Sequence, residues 1–286
     1  MGSKVLRDVP VIVDRPELVE TELDLLLEAM YRVGGYDFRQ YARTTVKRRL
    51  IELMPGQHVR NLSELQGKVL RDATALNKVV SALSIQVSGL FRDSKFYRAF
   101  RRKVVPILHT YPSLRIWHAG CATGEEVYSL AIVLAEEGLL KKCHIYATDI
   151  NLDALEAAAS GLYPQGEVKR SDVSYREAGG TRSLADYFQI SSGAASAIDV
   201  LKNQITFFQH NLVTDTSFND FHVILCRNVL IYFNKPLQDR VHELLYDSLV
   251  RLGVLGLGAN ETLHLTPKEG RYRLLDETGR LYRRID

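Results

Sequence analysis

A short apolar strand that runs into two glycines and then into an amphipathic helix constrains this chain more than any other feature. It spans Arg115 to Ile132, with Gly120 and Gly124 between the apolar Ile116, Trp117 and Ala119 and the helical run from Glu125. Glycines there let the backbone turn tightly and approach a ligand, and the helix start offers unpaired N–H groups. In an α/β protein such a turn lies at the carboxyl end of a strand, where nucleotide-like ligands bind. The spacing is G-x-x-x-G, not the G-x-G-x-x-G of a dinucleotide site. Glu125 and Glu126 open the helix where a pyrophosphate would sit. They repel phosphate and favour a cation.

Strand–helix alternation surrounds that turn. Strand 114–118 feeds helix 125–137, and strand 143–148 ends at Asp149 before an alanine-rich helix, 151–160. Strands follow at 204–209, 221–226 and 252–257, with a helix at 235–251 between the last two. Arg271–Leu275 and Gly279–Ile285 read as a terminal hairpin. This pattern predicts a mostly parallel, doubly wound sheet with an antiparallel edge. Segment 161–203 is rich in glycine and serine and reads as irregular. Its pieces Tyr187–Ile190 and Ala197–Leu201 are expected to pair with 204–209 as a small antiparallel excursion.

Residues 17–110 read instead as helical. Leu18, Leu25, Leu26, Ala29 and Met30 recur at helical spacing, and Gly34 and Gly35 interrupt them. A second helix is expected through Phe38, Tyr41, Val46 and Leu50, ending at Pro55-Gly56. Asn61 to Glu64 and Asp72 look like further helix starts. The expected units are a helical domain at 17–90, a linker helix at 91–112 and a sheet domain at 113–286 with a β insertion near 185–209.

Net charge is only +3, yet residues 35–110 hold 15 Lys/Arg against 5 Asp/Glu. That one-sided excess suggests a basic docking surface. Arg43, Lys47 and Arg48 lie on one expected helix, and Arg43 and Lys47 share a face at i,i+4 spacing. A solvated face is the plainer reading, and both stay open. The cysteines Cys121, Cys143 and Cys226 lack metal-ligand spacing, and the histidines are scattered. No apolar run approaches the roughly 20 residues of a membrane span, and the N-terminus lacks a signal-peptide core. A cytoplasmic protein without metal is expected.

Three positions bear on chemistry. Asp149 ends the second strand 29 residues after Gly120, where an acid can accept both ribose hydroxyls of an adenosine; a helix N-terminal acid is the alternative. S-adenosylmethionine (SAM), which is cationic and phosphate-free, suits this setting better than a dinucleotide. Arg227-Asn228 follows the strand 221–226, at the mouth of the sheet crevice. Glu125 and Glu126 point about 100° apart, so only one faces the turn easily. The loop Ser84–Asp93 reads by pattern alone as a connector.

Together these pieces resemble the chemotaxis receptor methyltransferase (CheR) family: Arg115–Ile132, Ala147–Ile150, Cys226–Phe233 and Leu255–Glu261. The run from Cys226 through Arg227, Asn228 and Tyr232 to Phe233 is highly specific. The resemblance implies a small all-helical N-terminal domain joined to a Rossmann-like SAM-dependent methyltransferase domain with a three-stranded insertion. It implies that Asp149 holds the ribose, Glu126 the methionine end, Asn211 and Leu212 the adenine side, and Gly120, Arg227 and Asn228 the rest of the pocket. Gln86, Ser88 and Arg92 take places in the family's cofactor loop, which turns the connector at 84–93 into a functional segment. Arg92 and Tyr232 match residues that position a substrate glutamate. Gln86 for Asn, Ser88 for Thr, Val127 for Pro and Ala259-Asn260 for His-Ser depart from the pattern. The implied partner is the cytoplasmic helical domain of a chemoreceptor, met by a monomer without nucleic acid or membrane insertion. A catalytically degenerate binding module is the alternative. A nucleic-acid methyltransferase is less well supported, because no basic-aromatic stacking platform appears.

Overall fold

The structure is a computed structural model, and it describes residues 16–84 and 88–286. Gln86 therefore lies outside the described residues. The described residues begin with four α-helices, α1 (Pro16–Gly34), α2 (Arg43–Leu53), α3 (Leu62–Val69) and α4 (Ala73–Leu83). Leu23, Leu26, Leu27 and Met30 recur on one face of α1 and join Phe38, Leu50, Leu65 and Val79 in one core. Asn61 and Asp72 cap α3 and α4 by accepting from the N–H groups of Glu64 and Thr74, each at 2.8 Å. These caps satisfy helix-start donors, as their residue types predict. The second helix begins later than its apolar spacing suggests. Tyr41 lies outside it, in an antiparallel bridge with Phe233.

Next come α5 (Ser94–Lys103) and α6 (Val105–Leu108), then alternating β1 (Leu114–Ala119), α7 (Glu125–Glu136), β2 (Cys143–Asp149) and α8 (Leu152–Ser160). Then follow β3 (Leu162–Pro164), α9 (Gln165–Glu177), β4 (Phe188–Ser191), β5 (Ala194–Ala197), α10 (Asp199–Lys202) and β6 (Ile205–Gln209). The chain closes with β7 (Phe221–Cys226), α11 (Lys235–Asp247), β8 (Leu249–Leu257), β9 (Tyr272–Asp276) and β10 (Leu281–Arg284). The main sheet has the order β6-β2-β1-β7-β8-β10-β9, parallel from β6 to β8 and antiparallel through the last two strands. Chain direction across the sheet reverses between β1 and β7, which opens a crevice at their carboxyl ends.

Side-chain alternation sorts the two faces. Ile116 joins the core beneath α5 and α7, whereas Trp117 turns to the opposite core with Leu237, Val241 and Leu245 of α11. Helix α5 is no mere strut: Phe96, Tyr97 and Phe100 are buried in the sheet's core.

Segment 161–203 differs from expectation. Strands β3, β5 and β4 make a separate three-stranded antiparallel sheet. Residues 204–209 do not pair with it, because β6 runs parallel to β2 as the main sheet's edge. The stretch read as irregular holds a 13-residue helix, α9, whose buried residues are only Val168 and Tyr175. So narrow an apolar stripe leaves little periodic signal.

Candidate functional site

The glycine turn has the geometry its sequence demands. Gly120 and Gly124 sit at φ +80° and +89°, where L-residues are strained. A Cβ on Gly120 would come within 2.5 Å of Val229 Cγ2, and one on Gly124 within 2.9 Å of Ala158 Cβ. Residues remote in the chain thus pack where a side chain would project.

Above this turn lies an open cleft of about 990 Å³, counting its solvent mouth. Its lining brings together Ser88, Arg92, Gly120, Glu126, Asp149, Asn211, Leu212, Arg227, Asn228 and Tyr232, ten positions that lie up to 144 residues apart in the chain. Arg43, Lys47 and Arg48 lie elsewhere, on α2.

The carboxylates are held in distinct ways. Asp149 accepts from the backbone N–H of Ala122 at 2.9 Å and of Asn151 at 3.0 Å. Burial raises its pKa while these donors oppose the rise. Of the two acids that open α7, Glu126 faces the cleft. Glu125 accepts instead from the Thr123 hydroxyl. Burial pushes Glu126 up, and the Arg227 guanidinium pulls against it. Asp149 and Glu126, both partly buried, give the cleft acidic walls that suit a cationic ligand, although the Arg227 guanidinium already offsets part of the Glu126 charge. The chemistry of these walls suits SAM: acids for its cationic and ribose groups, and Ile150, Leu212 and Val229 as apolar surface.

Arg227 is itself almost sealed, with its side chain 2% exposed. It donates to Glu126 and, at 2.9 Å, to Asp93, and its guanidinium lies 3.9 Å over the Phe96 ring. It therefore ties α7 to the start of α5, directly after Arg92, instead of reaching freely into the cleft. Asn211 accepts from Val213 N–H at 3.0 Å and donates to the Gly35 carbonyl at 3.4 Å.

Three residues that the sequence did not assign to the site also shape it. Glu261, buried, accepts from four backbone N–H groups: Asn228 at 2.9 Å, Val229 at 2.8 Å, Leu230 at 2.7 Å and Gly258 at 2.6 Å. It holds the loop that carries Asn228, which sits at φ +60°. The only signal for it was its place at the end of the 255–261 motif. Asp93 pairs with Arg227. His118 is buried with Nδ1 3.6 Å from Glu126, too long for a hydrogen bond, and burial lowers its pKa to about 3. It is a neutral imidazole, not a salt-bridge partner.

Among the described residues no cluster could hold a metal ion, and no helix is long and apolar enough to cross a membrane. All three cysteines are free and buried.

Comparison with known proteins agrees with this architecture. Residues 86–278 match the family described as CheR methyltransferase, SAM binding domain, and residues 21–84 match CheR methyltransferase, all-alpha domain. The chain is 42% identical over 265 residues to Cher3 of Pseudomonas putida, a predicted methyltransferase, with 93% of this chain and 97% of that protein covered. It is 30% identical over 231 residues to the chemotaxis protein methyltransferase of Listeria innocua, covering 80% and 85%. With the chemotaxis protein methyltransferase of Borreliella burgdorferi it shares 27% identity over 266 residues, covering 86% and 89%. Helical unit, glycine turn, acid-lined cleft and these matches lead to one conclusion: the chain belongs to the CheR family of SAM-dependent methyltransferases.

Proposed function

We propose that this protein transfers a methyl group from SAM to glutamate side chains of a chemoreceptor-type signalling protein. The observation that carries this reading is a single cleft lined both by acids suited to a cationic cofactor and by Arg92 and Tyr232. The names of the chemotaxis methyltransferases of Listeria and Borreliella support the choice of partner.

Bound SAM supplies an electrophilic methyl group on a sulfonium. A glutamate carboxylate, with a reference pKa of about 4.3, is ionised at neutral pH and needs no general base. The surroundings of the cleft fit that economy. His118 stays neutral, and burial raises the thiols of Cys121 and Cys226 far above their ordinary range. The chain's task is alignment and exclusion of water. In this reading Asp149 holds the ribose, Glu126 the methionine end, and Asn211 and Leu212 the adenine side, while Ser88, Gly120, Arg227 and Asn228 complete the pocket. Arg92 orients the incoming carboxylate, and Tyr232 donates a hydrogen bond beside it. Transfer neutralises that carboxylate, so too strong a pairing with Arg92 would stabilise the ground state and slow the reaction. The exposed position of Arg92 suits a weak, orienting contact. Arg43, Lys47 and Arg48 meet the acidic helical domain of the receptor, approached by a monomer in the cytoplasm.

Calorimetric titration with S-adenosylhomocysteine, the product, tests the cofactor half. Micromolar binding that Asp149→Ala removes is expected; a folded wild type that does not bind would end the reading. Methyl transfer to a receptor fragment tests the rest. The label should be released by alkali, as a carboxyl ester is, and Arg92→Ala should abolish turnover with a smaller loss of product affinity. An alkali-stable label would exclude glutamate as the acceptor.

A further inference from the structure

The cleft is not walled by the sheet unit alone. Tyr41, two residues before α2, lines it together with Asp149, Asn211 and Leu212. Its ring meets Phe38 at 4.7 Å and Phe233 at 4.8 Å, both edge to face. The backbone on either side is pinned to the loop that carries Tyr232. Ala42 N–H donates to the Tyr232 carbonyl at 2.8 Å, and Asn234 N–H donates to the Gln40 carbonyl at 2.9 Å. The position of Tyr41 is thus set by both units.

Its hydroxyl is available. Among the described residues it makes no hydrogen bond, yet it is not one of the sealed polar atoms without a partner. The side chain is only partly buried. Burial, and after it the charge of Asp149, raises the phenol's pKa, so Tyr41 is a neutral donor close to the carboxylate that faces the cleft.

We infer that Tyr41 is a cofactor-binding residue supplied by the helical unit, its hydroxyl serving the nucleoside end of SAM. A ligand gripped from both units stabilises the seam between them, and by reciprocity the seam contributes to the ligand's affinity. Because α2 starts at Arg43, one residue beyond the pinned Ala42, cofactor binding also steadies the helix that bears Arg43, Lys47 and Arg48. The cleft is thereby coupled to the proposed docking surface without any moving lid. This inference rests on the assignment of the cleft to SAM.

Titration of the full-length protein with S-adenosylhomocysteine tests it, with melting temperatures recorded for each variant. Tyr41→Phe keeps the ring and the seam, and should weaken binding roughly three- to tenfold, the worth of one hydrogen bond, at an unchanged melting temperature. Tyr41→Ala should weaken it further. In the wild type the product should slow hydrogen exchange at the Ala42 and Asn234 amides, and in Tyr41→Ala that protection should shrink. If the wild type binds and Tyr41→Phe binds equally well, with equal protection in Tyr41→Ala, the inference fails while the cleft assignment stands. A wild type that does not bind overturns both.

Discussion

Glu261 offers one carboxylate to four backbone donors, and it shows how a residue remote from the chemistry shapes the cleft. Its oxygens gather Asn228, Val229 and Leu230 into a tight turn and close that turn against Gly258. Glutamine at this position would present an amide N–H₂ to backbone N–H groups, leaving donors buried without an acceptor. Glu261→Gln is therefore expected to destabilise the fold by about 1–3 kcal/mol and to weaken product binding, since Asn228 and Val229 line the cleft. Denaturant midpoints and calorimetry check this together; a variant with both unchanged would show that the turn holds without its carboxylate. At this scale the sequence was most legible where a residue type has one main use, as at Gly120, Gly124 and the caps Asn61 and Asp72. It was least legible where a common residue does something unusual, as Glu261 and Tyr41 do.

At the scale of elements, α2 corrects an impression left by counting charges. Arg43 and Lys47 do form a clamp for a carboxylate, but the carboxylate they hold belongs to α1. Lys47 reaches Glu20 at 2.8 Å, while Arg43 reaches Glu20 at 3.2 Å and Asp24 at 2.5 Å. Arg48 pairs with Glu52 of its own helix at 3.0 Å. The hydrogen bond from Lys47, and after it that from Arg43, keeps Glu20 below the usual carboxylate range. The one-sided excess over residues 35–110 thus arises partly because the window leaves out the acids of α1, which fold back upon it. These pairs are exposed and weak, so an acidic receptor helix can displace them. Arg43→Glu should then slow methylation, whereas Glu20→Gln with Asp24→Asn should speed it at low salt. Both differences should shrink as salt is added. Receptor methylation rates across a salt series check this, and rates indifferent to both variants and to salt would remove α2 from docking.

For the whole molecule, two buried histidines, His118 and His242, make stability depend on pH. Burial lowers His118 to about 3 and His242 to about 4, against about 6.5 for a free imidazole. Their folded-state pKa values lie below the unfolded ones, so the unfolded chain binds the extra protons. The stability they contribute is complete above pH 6.5 and is lost as pH falls from 6.5 towards 4. Each imposes a slope of about 1.4 kcal/mol per pH unit in that window. His242→Leu should remove one share, and the difference from wild type isolates it from Glu126 and Asp149, which burial shifts the opposite way. Parallel unfolding curves at pH 7 and pH 5 for the two proteins would refute it.

The sequence by itself determined the class of the fold: helices first, then a parallel sheet with a glycine turn, because periodicity, caps and glycines act over a few residues. It also marked most of the cleft, since residues at strand ends meet wherever parallel strands lie side by side. Only the tertiary structure decided that residues 205–209 belong to the main sheet, that Arg227 is spent on Glu126 and Asp93, and that Tyr41 closes the cleft from the helical unit. Those outcomes depend on which distant groups compete for one partner, and that competition is settled only when the packed chain brings them within a few ångströms of one another.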